Sequence, residues 1–334
     1  MIIDGQLSTS IAAAAQALQR GELLGLPTET VYGLAADAGN DAAVAKIFEA
    51  KGRPANHPLI VHVASAQGVQ RFASHVPDFA QKLMDAFWPG PLTLILPRRP
   101  EVAAVAAGGQ NSVGLRCPSH PVAHAVLQSA EALGVFGVAA PSANLFGRVS
   151  PTTAAHVAGE FGDSLLILDG GACEVGIEST IVDCTRAAPV LLRPGVITPQ
   201  QLSHACGVAV ITPNAPDADA PRASGTLESH YAPTAKVQLM SATDLQKAID
   251  AASATVGTVA IWSRSPVQVP DASVNQFKFQ SMPASPQDCA HQLFAQLRSF
   301  DTQGVAHIWV EIPPQTPEWD GVRDRLTRAA TSTR

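Results

Sequence analysis

Several kinds of residue and segment are scarce or absent in this 334-residue chain. Aromatic residues make up only 5% of it and charged residues only 15%. No uninterrupted apolar run approaches the roughly 18 residues that mark a membrane-spanning helix. The first ten residues, MIIDGQLSTS, lack the basic start and apolar stretch of a secretory signal. We therefore expect a cytoplasmic protein without a membrane span.

The cysteines and histidines form no metal-binding or disulfide pattern. The five cysteines are Cys117, Cys173, Cys184, Cys206 and Cys289. Their number is odd and no two have CxxC spacing, which argues against a disulfide framework and a zinc knuckle and favours reduced thiols. His120 and His124 have a spacing that metal ligands use on helices, but no neighbouring Cys or Glu completes a set. We expect no protein-bound metal.

The familiar nucleotide-binding and hydrolase signatures are also missing. The chain has no GxxxxGK[ST] loop, no GxGxxG between a strand and a helix, and no GxSxG elbow. With 22 basic and 28 acidic residues the formal net charge is −6, and both halves of the chain are acidic. Stable binding to duplex nucleic acid through phosphate contacts is therefore disfavoured, although a local basic pocket is not.

The remaining sequence predicts two α/β domains and a linker. Short β-rich runs alternate with helical patterns through residues 1–211, including a helix over Ile11–Arg20 capped by Ser10 and a strand over Val135–Ala139. Residues 212–235 are rich in Pro, Ala, Asp, Ser and Gly and predict a linker. A second, smaller α/β domain is expected over residues 236–334.

Polar clusters follow the predicted strands and helices, where binding sites are usually built. Lys51 and Arg53 lie on a short segment broken by Gly52 and Pro54, and two cations so placed suit phosphate oxygens. Attraction of cations to a helix C-terminus explains only one of them. Arg116 ends a buried strand, where an arginine commonly meets a carboxylate of the protein or of a substrate.

Other clusters are weaker when each is taken alone. The segment PTETVYGL follows a strand, and it either binds a small polar ligand or forms a capped turn leading into the next helix. His62 lies in the apolar run LIVHV, and a lone histidine in such a run is more often buried in a core than used as a ligand. Further groups are Ser142 and Asn144, Arg148 and Ser150, Glu178 and Ser179, and Arg193. Together they lack an obvious nucleophile or base, which suits the positioning and charge neutralisation of phosphoryl or nucleotidyl transfer.

Seven of these segments occur in an order that resembles a known family. They are PTETVYGLAADA, KGRP followed by HPLIVHV, FWPGPLTLIL, SVGLRCPSHP, APSANLFGRVSPT, GIESTIVD and LLRPGVIT. They span most of residues 20–197 and resemble the YrdC-domain family. The later segment SGTLESHYAPTAKV and the added α/β domain resemble the long form of the threonylcarbamoyl-AMP synthases.

The resemblance implies a fold and an activity. The fold would be a twisted open mixed sheet with a concave ligand-binding face, joined by the linker to a smaller Rossmann-like domain. The activity would combine L-threonine, bicarbonate and ATP, with Mg²⁺ carried by the ATP phosphates, into threonylcarbamoyl-AMP and pyrophosphate. A downstream threonylcarbamoyl transferase complex would use the product to modify tRNA.

The resemblance also implies a set of site residues. Lys51 and Arg53 would be catalytic. ATP contacts would come from Arg53, His57, Ser112, Ser142, Asn144, Ser150, Arg193 and Tyr231. The threonine pocket would comprise Thr30, His62, Arg116, Ala140 and Ser179. His57 stands where many members have Asn, and the linker with Ser229, His230 and Tyr231 would close over the nucleotide as a lid.

Three alternatives stay open at this point. The same fold is associated with RNA binding, which the acidic balance of both halves opposes. Related domains occur in carbamoyl transferases, whose zinc-binding part has no counterpart among these cysteines. A non-catalytic regulator is a third alternative, and the presence of every polar motif argues against it.

Overall fold

The protein divides into two compact units, seen in a computed structural model that describes residues 1–213, 220–225, 230–252, 257–270 and 276–331. The first unit comprises Met1–Phe146 and Ser150–Thr226, and the second comprises Gly147–Val149 and Leu227–Arg334. No helix in the described ranges combines the length and the apolar character needed to cross a membrane.

The first unit is built on a mixed sheet of ten strands among the residues described. The strands are β1 (Ile2–Asp4), β2 (Leu24–Leu26), β3 (Gly33–Asp37), β4 (Ile60–His62), β5 (Leu92–Pro97), β6 (Ser112–Arg116), β7 (Val138–Ala139), β8 (Leu166–Asp169), β9 (Thr180–Asp183) and β10 (Val190–Arg193). Their order is β1-β8-β2-β3-β7-β4-β6-β5-β9-β10. The sheet contains parallel pairs, such as β4 with β6, and antiparallel pairs, such as β2 with β3, which confirms the predicted mixed sheet.

Helices cover both faces of this sheet. They are α1 (Ser8–Gln19), α2 (Asp41–Lys51), α3 (Val69–Phe72), α4 (Asp78–Phe87), α5 (Pro121–Ala132), α6 (Ala154–Phe161) and α7 (Pro199–Cys206), with short 3-10 turns at Ala66–Gly68 and Gly162–Ser164. Leu34 of β3 belongs to an apolar cluster that includes Val44 and Ile47 of α2, whereas Ala35 belongs to one that includes Leu18 of α1. Because successive strand residues point to opposite faces, the two clusters lie on opposite sides of the sheet.

Three local expectations for the first unit are wrong. The first helix begins at Ser8, its N-cap is Leu7 with no side-chain cap, and Ser10 is buried inside the helix. Strand β7 has only the last two residues of the predicted run Val135–Ala139, because only these pair with β3 and β4. The segment after β2 does not lead into a helix: Gly33–Asp37 pairs with β2 and β7 as a strand.

The second unit has a parallel sheet of four strands among its described residues. The strands are β11 (Lys236–Met240), β12 (Val259–Ser263), β13 (Phe277–Ser281) and β14 (His307–Glu311), in the order β11-β14-β12-β13. The helices are α8 (Ala242–Ala251), α9 (Pro286–Thr302) and α10 (Asp320–Ala330), with a 3-10 turn at Pro317–Trp319. The expectation of a second α/β domain is confirmed, although β13 was not predicted.

Part of the predicted linker lies on the first unit. In residues 220–225, the backbone N–H of Arg222 donates to Oε1 of Gln110 at 2.8 Å, and its guanidinium donates to the Gly108 carbonyl at 2.9 Å. Residues 214–219 and 226–229, including Ser229 of the predicted lid, lie outside the described ranges. The lid and the domain boundaries at 211 and 236 stay predictions.

Candidate functional site

Arg116 and His62 lie side by side because the sheet sets their register. Each is the last residue of its strand, and the parallel pairing of β4 with β6 puts His62 opposite Arg116. The carboxyl ends of parallel strands are the usual place for ligand sites in α/β folds. Arg116 Nη1 donates to Thr30 Oγ1 at 2.7 Å, and Nε donates to the Gly90 carbonyl at 3.3 Å. Three residues of the predicted threonine pocket are therefore brought together.

Glu29 supplies the carboxylate that an arginine in this position was expected to meet. Its Oε1 lies 2.7 Å from Arg116 Nη2, and both side chains are only 4% exposed. Neither Glu29 oxygen accepts a hydrogen bond of ordinary geometry from a described residue, and Arg116 Nη2 donates none, although the backbone N–H groups of Glu29 and Ser119 lie near the carboxylate. The pair is thus a close ion contact whose hydrogen-bonding capacity is largely unused.

Burial and charge set the protonation states in this cluster. Burial disfavours the charged form of Glu29, but the charge and hydrogen bonding of Arg116, together with the backbone N–H groups of Glu29 and Ser119, outweigh it and hold the pKa of the carboxyl below its usual value. Burial and the same arginine lower the pKa of His62 to about 3. At neutral pH the cluster therefore contains one anion, one cation and a neutral imidazole.

Lys51 is a buried cation at the end of α2. The helix ends there because Gly52 adopts a left-handed conformation at φ 61°. Lys51 Nζ donates to the Ser142 carbonyl at 2.6 Å and, at shorter range, to the Asn144 carbonyl. Burial and the charge of Arg53 lower the pKa of Lys51 well below its usual value. The predicted catalytic residue Lys51 therefore forms one cluster with Ser142 and Asn144 of the predicted ATP set.

Arg53 and His57 lie against a shared aromatic ring. The Arg53 guanidinium lies 5.8 Å from the centre of the Phe146 ring, and the His57 ring centre lies 5.7 Å from it. Arg53 Nη2 also donates to the Pro58 carbonyl at 3.0 Å. Burial and the charges of Arg53 and Arg222 lower the pKa of His57. His57 is thus held as a neutral group beside Arg53.

Arg193 and Ser179 connect the two predicted sets. Arg193 Nε and Nη2 donate to the Ser179 carbonyl at 3.0 and 2.9 Å, and the Ser179 hydroxyl lies 2.8 Å from Thr93 Oγ1. Arg193 Nη1 donates to the Ser224 carbonyl at 2.8 Å. Arg193, which is predicted to bind ATP, therefore holds Ser179, which is predicted to bind threonine, in place.

Four other predicted residues have less direct positions. The Ser150 hydroxyl donates to Glu178 Oε1 at 2.5 Å, and Ser112 begins β6 beside Pro97. Ala140 follows β7 and packs on Gly33, where an added Cβ would lie 2.9 Å from the Ala140 Cβ. Tyr231 belongs to the second unit, where its ring lies 5.4 Å from that of Phe294. The assignment of each of these residues to a substrate stays a prediction.

Glu29, Thr93 and Ser224 contact the predicted site residues but were not among them, and Glu178 was named only as part of a polar cluster. Glu29 and Glu178 stand inside the quoted motifs PTETVYGL and GIEST, and burial is the signal that marks them, since acidic residues are seldom buried without a partner. Within the described ranges no three His, Cys, Asp or Glu side chains converge as metal ligands. The charged groups that do converge suit an anionic substrate more than a protein-held metal.

Two family models together match most of the chain. The model Sua5/YciO/YrdC, described as "Telomere recombination", matches residues 16–195. A second model, described as "Threonylcarbamoyl-AMP synthase, C-terminal domain", matches residues 197–331.

Curated relatives carry the same kind of name. A threonylcarbamoyl-AMP synthase of Bacillus subtilis is 37% identical over 98% of this chain and 96% of its own length. One of Pyrococcus abyssi is 44% identical over 68% of this chain and 66% of its own length. A third, of Schizosaccharomyces pombe, is 35% identical over 91% of this chain.

Solved structures are similar to this chain over its whole length or over part of it. The crystal structure of Sua5 from P. abyssi complexed with L-threonine superposes with a TM-score of 0.89 at 34% identity, covering 99% of this chain and 97% of that one. YciO of E. coli covers 59% of this chain with a TM-score of 0.50 at 22% identity, which shows a shared fold alone.

Proposed function

The chain belongs to the Sua5/YrdC family in its long, two-domain form, and from that premise we propose that it synthesises L-threonylcarbamoyl-AMP from L-threonine, bicarbonate and ATP. The observation that carries the proposal is likeness over the whole chain to proteins named for this activity. The product would serve N6-threonylcarbamoyladenosine formation in tRNA through a separate transferase complex. We place the enzyme in the cytoplasm, where tRNA and ATP meet.

The proposed reaction needs positioning and charge neutralisation more than a covalent catalyst. The threonine amine and bicarbonate form a carbamate with loss of water. A carbamate oxygen then attacks the α-phosphorus of ATP, the bond from this phosphorus to the bridging oxygen breaks, and pyrophosphate leaves. Preorganised cations stabilise the charge that develops on the phosphate oxygens, and bound geometry replaces a bimolecular encounter.

The site residues divide between the two substrates. Lys51 and Arg53 neutralise phosphate charge, together with Mg²⁺ that arrives on ATP and needs no ligand set from the protein. Further ATP contacts would come from His57, Ser112, Ser142, Asn144, Ser150, Arg193 and Tyr231. Arg116 pairs with the threonine carboxylate, and Thr30, His62, Ala140 and Ser179 complete that pocket.

Pyrophosphate release tests the proposal directly. The purified full chain is incubated with ATP and Mg²⁺, with and without L-threonine and bicarbonate, and pyrophosphate is measured. We expect release that requires both additions and is much weaker with L-serine. ATP binding without such dependence would refute the activity and leave the fold assignment intact.

A further inference from the structure

The Glu29–Arg116 pair has more hydrogen-bonding capacity than its surroundings satisfy. A guanidinium carries five N–H donors, and two hydrogen bonds from Arg116 to described residues are present, to Gly90 and Thr30. Both Glu29 oxygens are buried and accept no hydrogen bond of ordinary geometry from a described residue, although the backbone N–H groups of Glu29 and Ser119 lie close enough to lower the pKa of the carboxyl. Nδ1 of His62 is also buried without a hydrogen-bond partner of ordinary geometry among those residues. Buried polar groups are normally satisfied, and one that is not points to a ligand or another function.

The charge of the pair limits what can satisfy it. Glu29 and Arg116 sum to zero, and they lie in a site where each is only 4% exposed. A ligand that carries only a carboxylate would leave a net buried negative charge, and one that carries only an amine would leave a net positive charge. Either is costly in a desolvated site. A neutral ligand with one charge of each sign avoids that cost.

We propose that Glu29 receives the ammonium group of the amino-acid substrate while Arg116 receives its carboxylate. The ion pair is then a preformed receptor for a zwitterionic α-amino acid, in which both charged groups are attached to one carbon. The four charges are those of Glu29, Arg116, the substrate ammonium and the substrate carboxylate. In this arrangement they alternate in sign around a ring, so each has two neighbours of opposite charge. This rests on the proposed function, and it adds Glu29 as the residue that selects for the amino group.

The neighbouring groups are compatible with this arrangement. His62 is neutral at physiological pH because burial and the Arg116 charge lower its pKa to about 3. Burial likewise raises the pKa of the adjacent Cys117 thiol to about 11. Neither His62 nor Cys117 therefore carries a charge at physiological pH. Glu29 is then the one anionic partner of the ammonium among the groups of this cluster.

The test compares L-threonine with (R)-3-hydroxybutyrate, which keeps the carboxylate and hydroxyl but lacks the amine. Calorimetry on the full chain measures both dissociation constants for the native protein and for Glu29→Gln. We expect the variant to bind threonine at least tenfold more weakly. It should bind hydroxybutyrate as well as the native protein or better, because Arg116 then lacks a competing anion.

Glu311→Gln is the matched control, since it also removes the carboxylate charge beside an arginine, Arg264 in the second unit, whose side chain is 28% exposed. It should leave the preference for threonine over hydroxybutyrate unchanged. If Glu29→Gln weakened both ligands equally, or neither, Glu29 would only orient Arg116 and the inference would be overturned. Absence of threonine binding by the native protein would overturn the proposed function together with it.

A second series uses the native protein alone, in case Glu29→Gln fails to fold. L-threonine amide keeps the ammonium and loses the carboxylate charge, whereas hydroxybutyrate does the reverse. We expect both to bind at least tenfold more weakly than threonine. Hydroxybutyrate binding as tightly as threonine would show that no group receives the ammonium, and Glu29 would lose its assigned role.

Discussion

Two glutamate–arginine contacts, one in each unit, have the same composition and different surroundings. In the first unit, Glu29 contacts Arg116 without accepting a hydrogen bond of ordinary geometry from the described residues. In the second unit, Glu311 contacts Arg264 at 3.0 Å and also accepts from the backbone N–H groups of Arg264 and Ser265, at 2.9 and 2.8 Å. The hydroxyls of Ser263 and Ser265 lie 2.7 and 3.1 Å from its oxygens.

The two contacts also lie in equivalent places on their sheets. Arg116 ends β6, and Glu311 and Ser263 end the neighbouring parallel strands β14 and β12. This is the strand edge at which α/β folds bind ligands. In the second unit the protein's own carboxylate fills that edge and is fully partnered, so it serves the fold. The pair of the first unit, which has fewer hydrogen-bond partners, is the one that we propose to receive a ligand.

The largest effect is expected for Arg116→Ala. Loss of charge-assisted hydrogen bonds, each about 1.5–3 kcal/mol, should raise KM for threonine roughly 100-fold, at about 1.4 kcal/mol per tenfold. KM for ATP should change by less than about threefold. Steady-state pyrophosphate release measures both, and Arg264→Ala serves as the control. Equal increases in the two KM values would contradict a threonine-specific role.

Glu311→Ala should act on stability instead of substrate binding. Removing Glu311 takes away the acceptor of several hydrogen bonds and the partner of Arg264, whose side chain is 28% exposed, so the loss should be about 2 kcal/mol. Urea unfolding followed by circular dichroism should show a lower midpoint, while KM for threonine stays unchanged. The exposed Glu318 provides the control, since Glu318→Ala should shift the midpoint little. A change in threonine KM without loss of stability would break the comparison between the two units.

The sequence predicted the ends of elements well where local chemistry decides them. The helix α2 ends at Lys51 because Gly52 adopts a left-handed conformation, and β6 ends at Arg116, before Cys117-Pro118. The α7 helix has its predicted start at Pro199, where Thr198 and Gln201 form a capping box. In each case the deciding residues are neighbours in the chain.

What the sequence could not predict depends on partners far along the chain. The contact of Glu29 with Arg116 requires the order in which strands enter the sheet, which no local pattern encodes. Strand β7 has two residues because its pairing with β3 and β4 stops there. The helix α1 begins at Ser8 with Leu7 at its N-cap, and Ser10, which is a good cap by residue type, is buried inside the helix.

His62→Gln should change how stability depends on pH. Burial and Arg116 lower the pKa of His62 to about 3 in the folded protein, against about 6.5 when unfolded. Between these values the unfolded chain binds the proton and the folded one does not. Stability therefore falls as pH falls through this range, by at most about 1.4 kcal/mol per pH unit. Urea midpoints from pH 7 to pH 5 should fall less steeply in the variant, whereas substitution of the exposed His75 should leave the slope unchanged.

The smallest effect is expected for Ser265→Ala, and it tests whether the Glu311 contact is saturated. The Ser265 hydroxyl is one of several donors around Glu311, and its distance of 3.1 Å is longer than those of the others. Because the remaining donors still satisfy the carboxylate, the loss should be about 0.5–1 kcal/mol, seen as a small shift of the urea midpoint. A loss as large as that of Glu311→Ala would mean that this hydroxyl is indispensable. Glu311 would then be as sparsely satisfied as Glu29, and hydrogen-bond saturation would no longer separate the structural pair from the one that receives a ligand.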